Sequence, residues 1–171
     1  MRSPRRFIAI AACGVALVAC SSSTMSSGST SGDTATSSAL EARTTAANVP
    51  LLDQEAFDTH IHTGLKVTVA GKPFEVPSGI GIDEDSNRIA ALHTHDATGE
   101  IHVESPKQNA EYTLDQFLTV WGIPADDAGR CTFFTATAPC TLTVTSKDSG
   151  KVGLDVILVD EDTLTLAVTS T

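Results

Sequence analysis

The chain has 171 residues, with 11 basic and 21 acidic side chains and a formal charge of −10. That length allows one small domain rather than several. The acidic balance excludes a nucleic-acid binder and a protein held electrostatically on anionic lipid, and it leaves cations as admissible ligands.

Arg2, Arg5 and Arg6 open the chain, and Phe7 to Val18 follows as an apolar run of twelve residues. The run is too short to cross a hydrocarbon layer of about 30 Å as a helix, but it suits the core of an export signal. Leu17-Val18-Ala19-Cys20 has the lipobox form, with small residues before a cysteine whose thiol takes diacylglycerol. Residues 1–19 are therefore predicted to be a lipoprotein signal peptide. Cys20 is predicted to be the lipidated amino terminus, holding the protein on the extracytoplasmic face of a membrane. Removal of residues 1–19 takes away three arginines and no acid, leaving 8 basic and 21 acidic side chains and a formal charge of −13.

Residues 20–49 are mostly Ser, Thr, Ala and Gly. Such a stretch has little apolar surface with which to offset the entropy of ordering, so it is predicted to be a flexible tether. Residues 50–171 are predicted to form a single β-rich domain.

Thr59–Ala70 alternates around Leu65, Val67 and Val69 and reads as a strand with one apolar face. Gly71-Lys72 makes a turn, and residues 73–76 make a short return strand. Residues 79–82 are extended. The polar loop Asp83-Glu84-Asp85-Ser86-Asn87 begins like a calcium loop, but Arg88 and Thr94 stand where the turn glycine and the bidentate glutamate are required. Leu92–Asp96 and Glu100–Glu104 form a predicted hairpin. Thr113–Trp121 is the one clear helix, with Thr113 and Gln116 as a capping box, Tyr112 and Phe117 as a hydrophobic staple, and Gly122 as its stop. Further strands are expected around Leu142/Val144, across Val156–Val159, and at Leu164/Leu166/Val168. Cys131 and Cys140 lie close in sequence in an oxidising compartment, which predicts a disulfide. The fold class is α+β, mostly antiparallel: a β-grasp-like sheet carrying one helix, with a β-sandwich as the alternative.

All five histidines, His60, His62, His93, His95 and His102, fall within one 43-residue stretch, and four of them form two His-x-His pairs. On a strand, residues two apart share a face. Leu92, Ile101 and Val103 belong to the core face, so the histidines belong to the other. A hairpin loop of even length pairs His93 with His102 and Leu92 with Val103, keeping apolar groups together. His93, His95 and His102 then form one cluster, with Glu104, Glu100 and Asp96 around it. His60 and His62 join if their strand neighbours the hairpin.

Several imidazoles on one face suit Zn²⁺ or Cu²⁺, with Asp96 or Glu104 as a possible carboxylate ligand. The folded part has no Met for a thioether copper site. Copper–zinc superoxide dismutases also carry a His-x-His strand, but their glycine-flanked first motif and later ligand pattern are missing here. No nucleophile elbow is present. An enzyme is not the leading reading.

Thr59-His60-Ile61-His62, Val76-Pro77-Ser78-Gly79-Ile80-Gly81-Ile82, Leu92-His93-Thr94-His95-Asp96, Thr98-Gly99-Glu100-Ile101-His102-Val103-Glu104 and Tyr112–Phe117 together resemble a family of exported or lipid-anchored actinobacterial proteins. The resemblance covers most of residues 59–122. It implies an extracytoplasmic location and treats the histidine blocks as a unit; it carries no reaction with it. Two readings follow: a lipid-anchored domain binding a transition-metal ion, or a cell-envelope interaction module that docks protein or glycan without metal.

Overall fold

The computed structural model describes residues 33–171. The predicted signal peptide and Cys20 lie outside the described residues. The elements in order are α1 (Asp33–Ala47), β1 (Leu51–Leu52), β2 (Thr59–Val69), β3 (Lys72–Phe74), β4 (Ile82–Asp83), β5 (Arg88–Ala90), β6 (Leu92–His93) and β7 (Glu100–Ser105). They continue with α2 (Leu114–Trp121), α3 (Asp127–Phe133), β8 (Cys140–Ser146), β9 (Gly150–Val152) and β10 (Thr163–Ser170). No described helix is long and apolar enough to cross a membrane.

The main sheet runs β6-β7-β2-β10-β8-β9, with β3 also on β2. β2 and β10 are parallel at its centre, while every other pairing in it is antiparallel. β7 flanks β2, β8 flanks β10, and α2 and α3 fall between these two antiparallel pairs in sequence. That is the β-grasp order, and it arises because α2 and α3 carry the chain from one edge pair to the other. A second small sheet, β1-β5-β4, stands apart from it.

The core follows the alternation seen in the sequence. Leu65, Val67, Ile101, Val103, Val144, Leu164, Leu166 and Val168 are buried with Leu114, Phe117 and Leu118 of α2. Helix α2 begins as its sequence requires. The Thr113 hydroxyl accepts from the Gln116 amide, and the Gln116 carboxamide oxygen accepts from the Thr113 amide. Gly122 closes the helix in the left-handed region at φ 96°. Tyr112 and Phe117 are both buried, as the staple requires. The Cys131–Cys140 disulfide is formed and joins α3 to the start of β8.

Residues 79–82, expected to be extended, form a turn up to Gly81, and four further expectations change. The tether expected over residues 20–49 gives way to helix α1 from Asp33, and Leu40, Thr44 and Ala47 of that helix are buried. The Gln116 carboxamide donates to the Ala47 carbonyl, tying α1 to α2. Ala and Leu are good helix formers, and a few apolar positions suffice once a neighbouring helix gives them a surface. The folded unit therefore begins before residue 50. Second, Leu92–Asp96 is a strand only over its first two residues. Third, Val156–Val159 forms no strand, because β2 and β8 already take both edges of β10; it bridges to the start of α2, where the Leu158 amide donates to the Tyr112 carbonyl. Fourth, α3 has no counterpart in the sequence reading. It is seven residues long, contains Gly129 and Cys131, and is held by the Asp126 cap and an Arg130–Asp115 ion pair to α2.

Candidate metal centre

The site is built by register. β7 lies between β2 and β6, so His102 stands opposite His62 on one side and His93 on the other. The register expected from burial is the one observed, although the connection from His93 to Glu100 is longer than a tight hairpin loop. One step along β7, Glu104 stands opposite His60. Alternation puts His60 and His62 of β2, His102 and Glu104 of β7, and His93 of β6 on the same face, away from the α2 core. His95 follows β6 and turns back toward the same point.

The rings form a continuous set of contacts around His102. Its centroid lies 4.5 Å from that of His62, 4.6 Å from His95 and 5.2 Å from His93. His60 packs on His62 at 4.7 Å. Two groups of ligand atoms result, each with all members within 4.8 Å of one another: His93, His95, His102 and Glu104, and His60, His62 and His102.

Burial differs from the expectation of surface histidines. His93 is fully buried and the Glu104 side chain is only 4% exposed, whereas His95 is 43% exposed. The cover over His93 comes from the segment Val76–Ile82. Thr94, itself fully buried, accepts from the Ile80 amide through its hydroxyl and donates that hydroxyl to the Pro77 carbonyl. Backbone bonds from Gly79 to Thr94 and from Thr94 to Ile80 complete the strap. Gly81 closes it against β6 at φ +75°. A Cβ there would stand 2.4 Å from the Leu92 carbonyl oxygen and 3.2 Å from the His93 Cβ, so only glycine fits.

This environment sets the protonation of the site. The His93 Nδ1 lies 2.9 Å from the Ala90 carbonyl oxygen, which can only accept, so Nδ1 carries the proton. Nε2 then holds a bare lone pair aimed into the cluster, 3.1 Å from the His95 Nε2. A backbone carbonyl fixing the tautomer of a buried ring is the usual outer support of a metal-binding histidine. Burial, reinforced by the neighbouring His95 and His102 rings, lowers the His93 pKa to about 4 despite the opposing Ala90 bond. Burial likewise lowers that of His102, with His95 and His62 adding to the effect. Both rings stay neutral, which is the ligand form.

Glu104 is the least comfortable group. Its Oε1 lies 3.6 Å from His60 Nε2, 3.8 Å from His93 Nε2 and 3.6 Å from His102 Nδ1, all beyond good hydrogen-bond distance. Its Oε2 and the His102 Nδ1 are buried without a hydrogen-bond partner. Burial raises the carboxyl pKa, and the nearby Glu55 raises it further.

The five histidines and Glu104 chosen from the sequence are thus brought together. Asp96 is not: its carboxylate accepts from the Thr98 amide and hydroxyl, and those bonds hold it low in pKa at the hairpin turn. Glu55 is the residue that sequence reasoning missed. It lies 3.8 Å from His95 Nε2, on an irregular segment before β2 where no periodicity marks a facing direction. Glu100 sits at the rim, 3.4 Å from His102 Nε2.

No known family matches the chain, and no curated protein or solved structure matches it. The site is therefore read from its chemistry alone. A cluster of imidazoles around a buried carboxylate can hold a metal ion.

Proposed function

We propose that the protein is a lipid-anchored extracytoplasmic domain that binds a transition-metal ion, Zn²⁺ or Cu²⁺, for handling, sensing or buffering. His93, His95, His102 and Glu104 supply the ligands, with His60 and His62 beside them. The observation that carries this reading is Glu104. A buried carboxylate oxygen with no partner costs about 1–3 kcal/mol or more, and four of the five histidine rings stand around the Glu104 carboxylate, with no Arg or Lys ion-paired to it among the described residues. A divalent cation would take up the Glu104 carboxylate, the orphaned His102 nitrogen and the preset His93 lone pair together. The ligand set is nitrogen and oxygen, which suits Zn²⁺ or Cu²⁺ rather than Cu⁺. The lipid anchor is supported by the lipobox at Cys20, and the family resemblance of the histidine blocks agrees with an extracytoplasmic place.

Calorimetry with Zn²⁺ and Cu²⁺ on the purified full-length protein tests the metal reading. Binding is expected near pH 7, weakened at least about tenfold in Glu104→Gln and in His93→Ala. Failure of both ions to bind would return the protein to the interaction-module reading. That alternative has its own footing: Phe57, Ile157 and Val159 are exposed, and Ile157 and Val159 line a cleft of about 450 Å³ beside the first residues of β2. The anchor is tested separately by the mature amino terminus, expected at Cys20 and carrying lipid that Cys20→Ala abolishes.

A further inference from the structure

We propose that the histidine face holds two metal ions rather than one, with Glu104 between them; this rests on the metal-binding reading above. The face has more ligands than one ion can use. A tetrahedral ion with bonds of about 2.0–2.1 Å takes four ligand atoms about 3.3 Å apart. His93 and His95 already present their Nε2 atoms at 3.1 Å, and with His102 and Glu104 they fill such a site. His60 and His62 are then left over, yet they too converge, sharing His102 in a second compact group.

The two groups are neighbours along β7 rather than separate patches. The rows His62–His102–His93 and His60–Glu104 lie side by side across the sheet. The His60 and His102 ring centroids are 6.4 Å apart. Glu104 reaches both: its Oε1 is 3.6 Å from His60 Nε2 and 3.8 Å from His93 Nε2, and its Oε2 is free of any hydrogen bond. A carboxylate has two oxygens and can give one to each ion. His102 completes one of the two sites.

Charge decides whether two divalent ions can sit so close. Imidazole ligands alone bring no negative charge and would leave the repulsion of the two ions unscreened. Glu104 among the rings, with Glu55 beside His95 and Glu100 beside His102, places three carboxylates against the histidine face. Paired divalent sites in proteins have separations of about 3.5–4 Å and rely on carboxylates in this way.

Stoichiometry tests the proposal. Purified full-length protein is titrated calorimetrically with Zn²⁺ and with Cu²⁺, and metal is counted by mass spectrometry after dialysis. Two ions per chain are expected. The double variant His60→Ala/His62→Ala should retain one ion, with an apo circular-dichroism spectrum and unfolding midpoint close to those of the parent; His93→Ala/His95→Ala should also retain one ion and the parent's apo spectrum, at a lower midpoint because the His93 ring is buried. In the doubly Cu²⁺-loaded protein, magnetic coupling should broaden or remove the paramagnetic resonance signal, and either double variant should restore that of an isolated ion. One ion per chain in the parent would overturn the two-ion site while leaving metal binding intact. Two ions persisting in either double variant would also overturn it, because the second ion would then lie elsewhere. No ion at all would overturn the metal reading itself.

Discussion

The outer face of the main sheet is finished in two different ways. Across β10 and β8 it is threonine: Thr163, Thr165, Thr141, Thr143 and Thr145, joined by Lys66 and Thr68 of β2, all exposed or half-buried. Across the first half of β2, β7 and β6 the same face carries His60, His62, His102, His93 and Glu104, and two of these are buried. The two halves share strand β2 and the same hydrophobic core beneath. A threonine hydroxyl facing water has its hydrogen bonds met and needs no further explanation. A buried carboxylate with one oxygen unbonded does need one. The contrast separates what the fold requires of this face, which is only polar residues of β propensity, from what it does not require.

The largest expected effect should fall on the threonine half alone. Replacing Cys131 and Cys140 by Ser frees α3 from β8 and should cost about 2–4 kcal/mol in denaturant unfolding. Metal affinity and stoichiometry should stay as in the parent, because no site residue touches the disulfide. A loss of metal binding in that variant would mean that the two halves are not independent.

A somewhat smaller effect should fall on the histidine half. Gly81→Ala forces a side chain into the left-handed region and against the Leu92 carbonyl, with strain of about 1–3 kcal/mol. The strand carrying His93 must shift to relieve it. Lower thermal stability and weaker metal binding should therefore appear together. An unchanged affinity would show that the strap only covers the site and does not position it.

Acid should also separate the halves. His93 has its pKa lowered to about 4 from an ordinary 6.5, so the fold favours the neutral ring. That contribution is present in full above pH 6.5 and is lost as pH falls through about 4. Glu104, with its pKa raised, acts in the opposite sense and offsets part of the loss. The stability advantage of the apo parent over His93→Gln should narrow between pH 6.5 and 4. The smallest effect belongs to Thr143→Ser on the outer threonine face: within about 0.5 kcal/mol in stability, and none on metal binding.

Much of the histidine half was legible in the sequence, because strand alternation and hairpin register are both set by burial. Leu92 and Val103 must face the core together, and that alone places His93 opposite His102. The parallel pairing of β2 with β10 was not legible, since it joins residues about a hundred positions apart and no local pattern encodes it. Nor was the burial of His93: the strap over it depends on Thr94, whose two side-chain bonds to Pro77 and Ile80 follow from three-dimensional position rather than spacing. Helix α1 was hidden by composition, because its Ser, Thr and Ala residues resemble a linker until Leu40 finds its place against the domain. Asp96 looked like a ligand because it follows His95, and was instead claimed by the Thr98 turn.

The bonds of Thr94 have a further consequence for motion. They fasten residues 77–80 to the end of β6, so neither can lift without releasing the other. The strap and the histidine strand thus form one opening unit, in the sense of a segment whose amides exchange with solvent together. An ion bound to His93 would hold that unit shut from the inside, at a place where no apolar contact could do so without filling the space the ion needs.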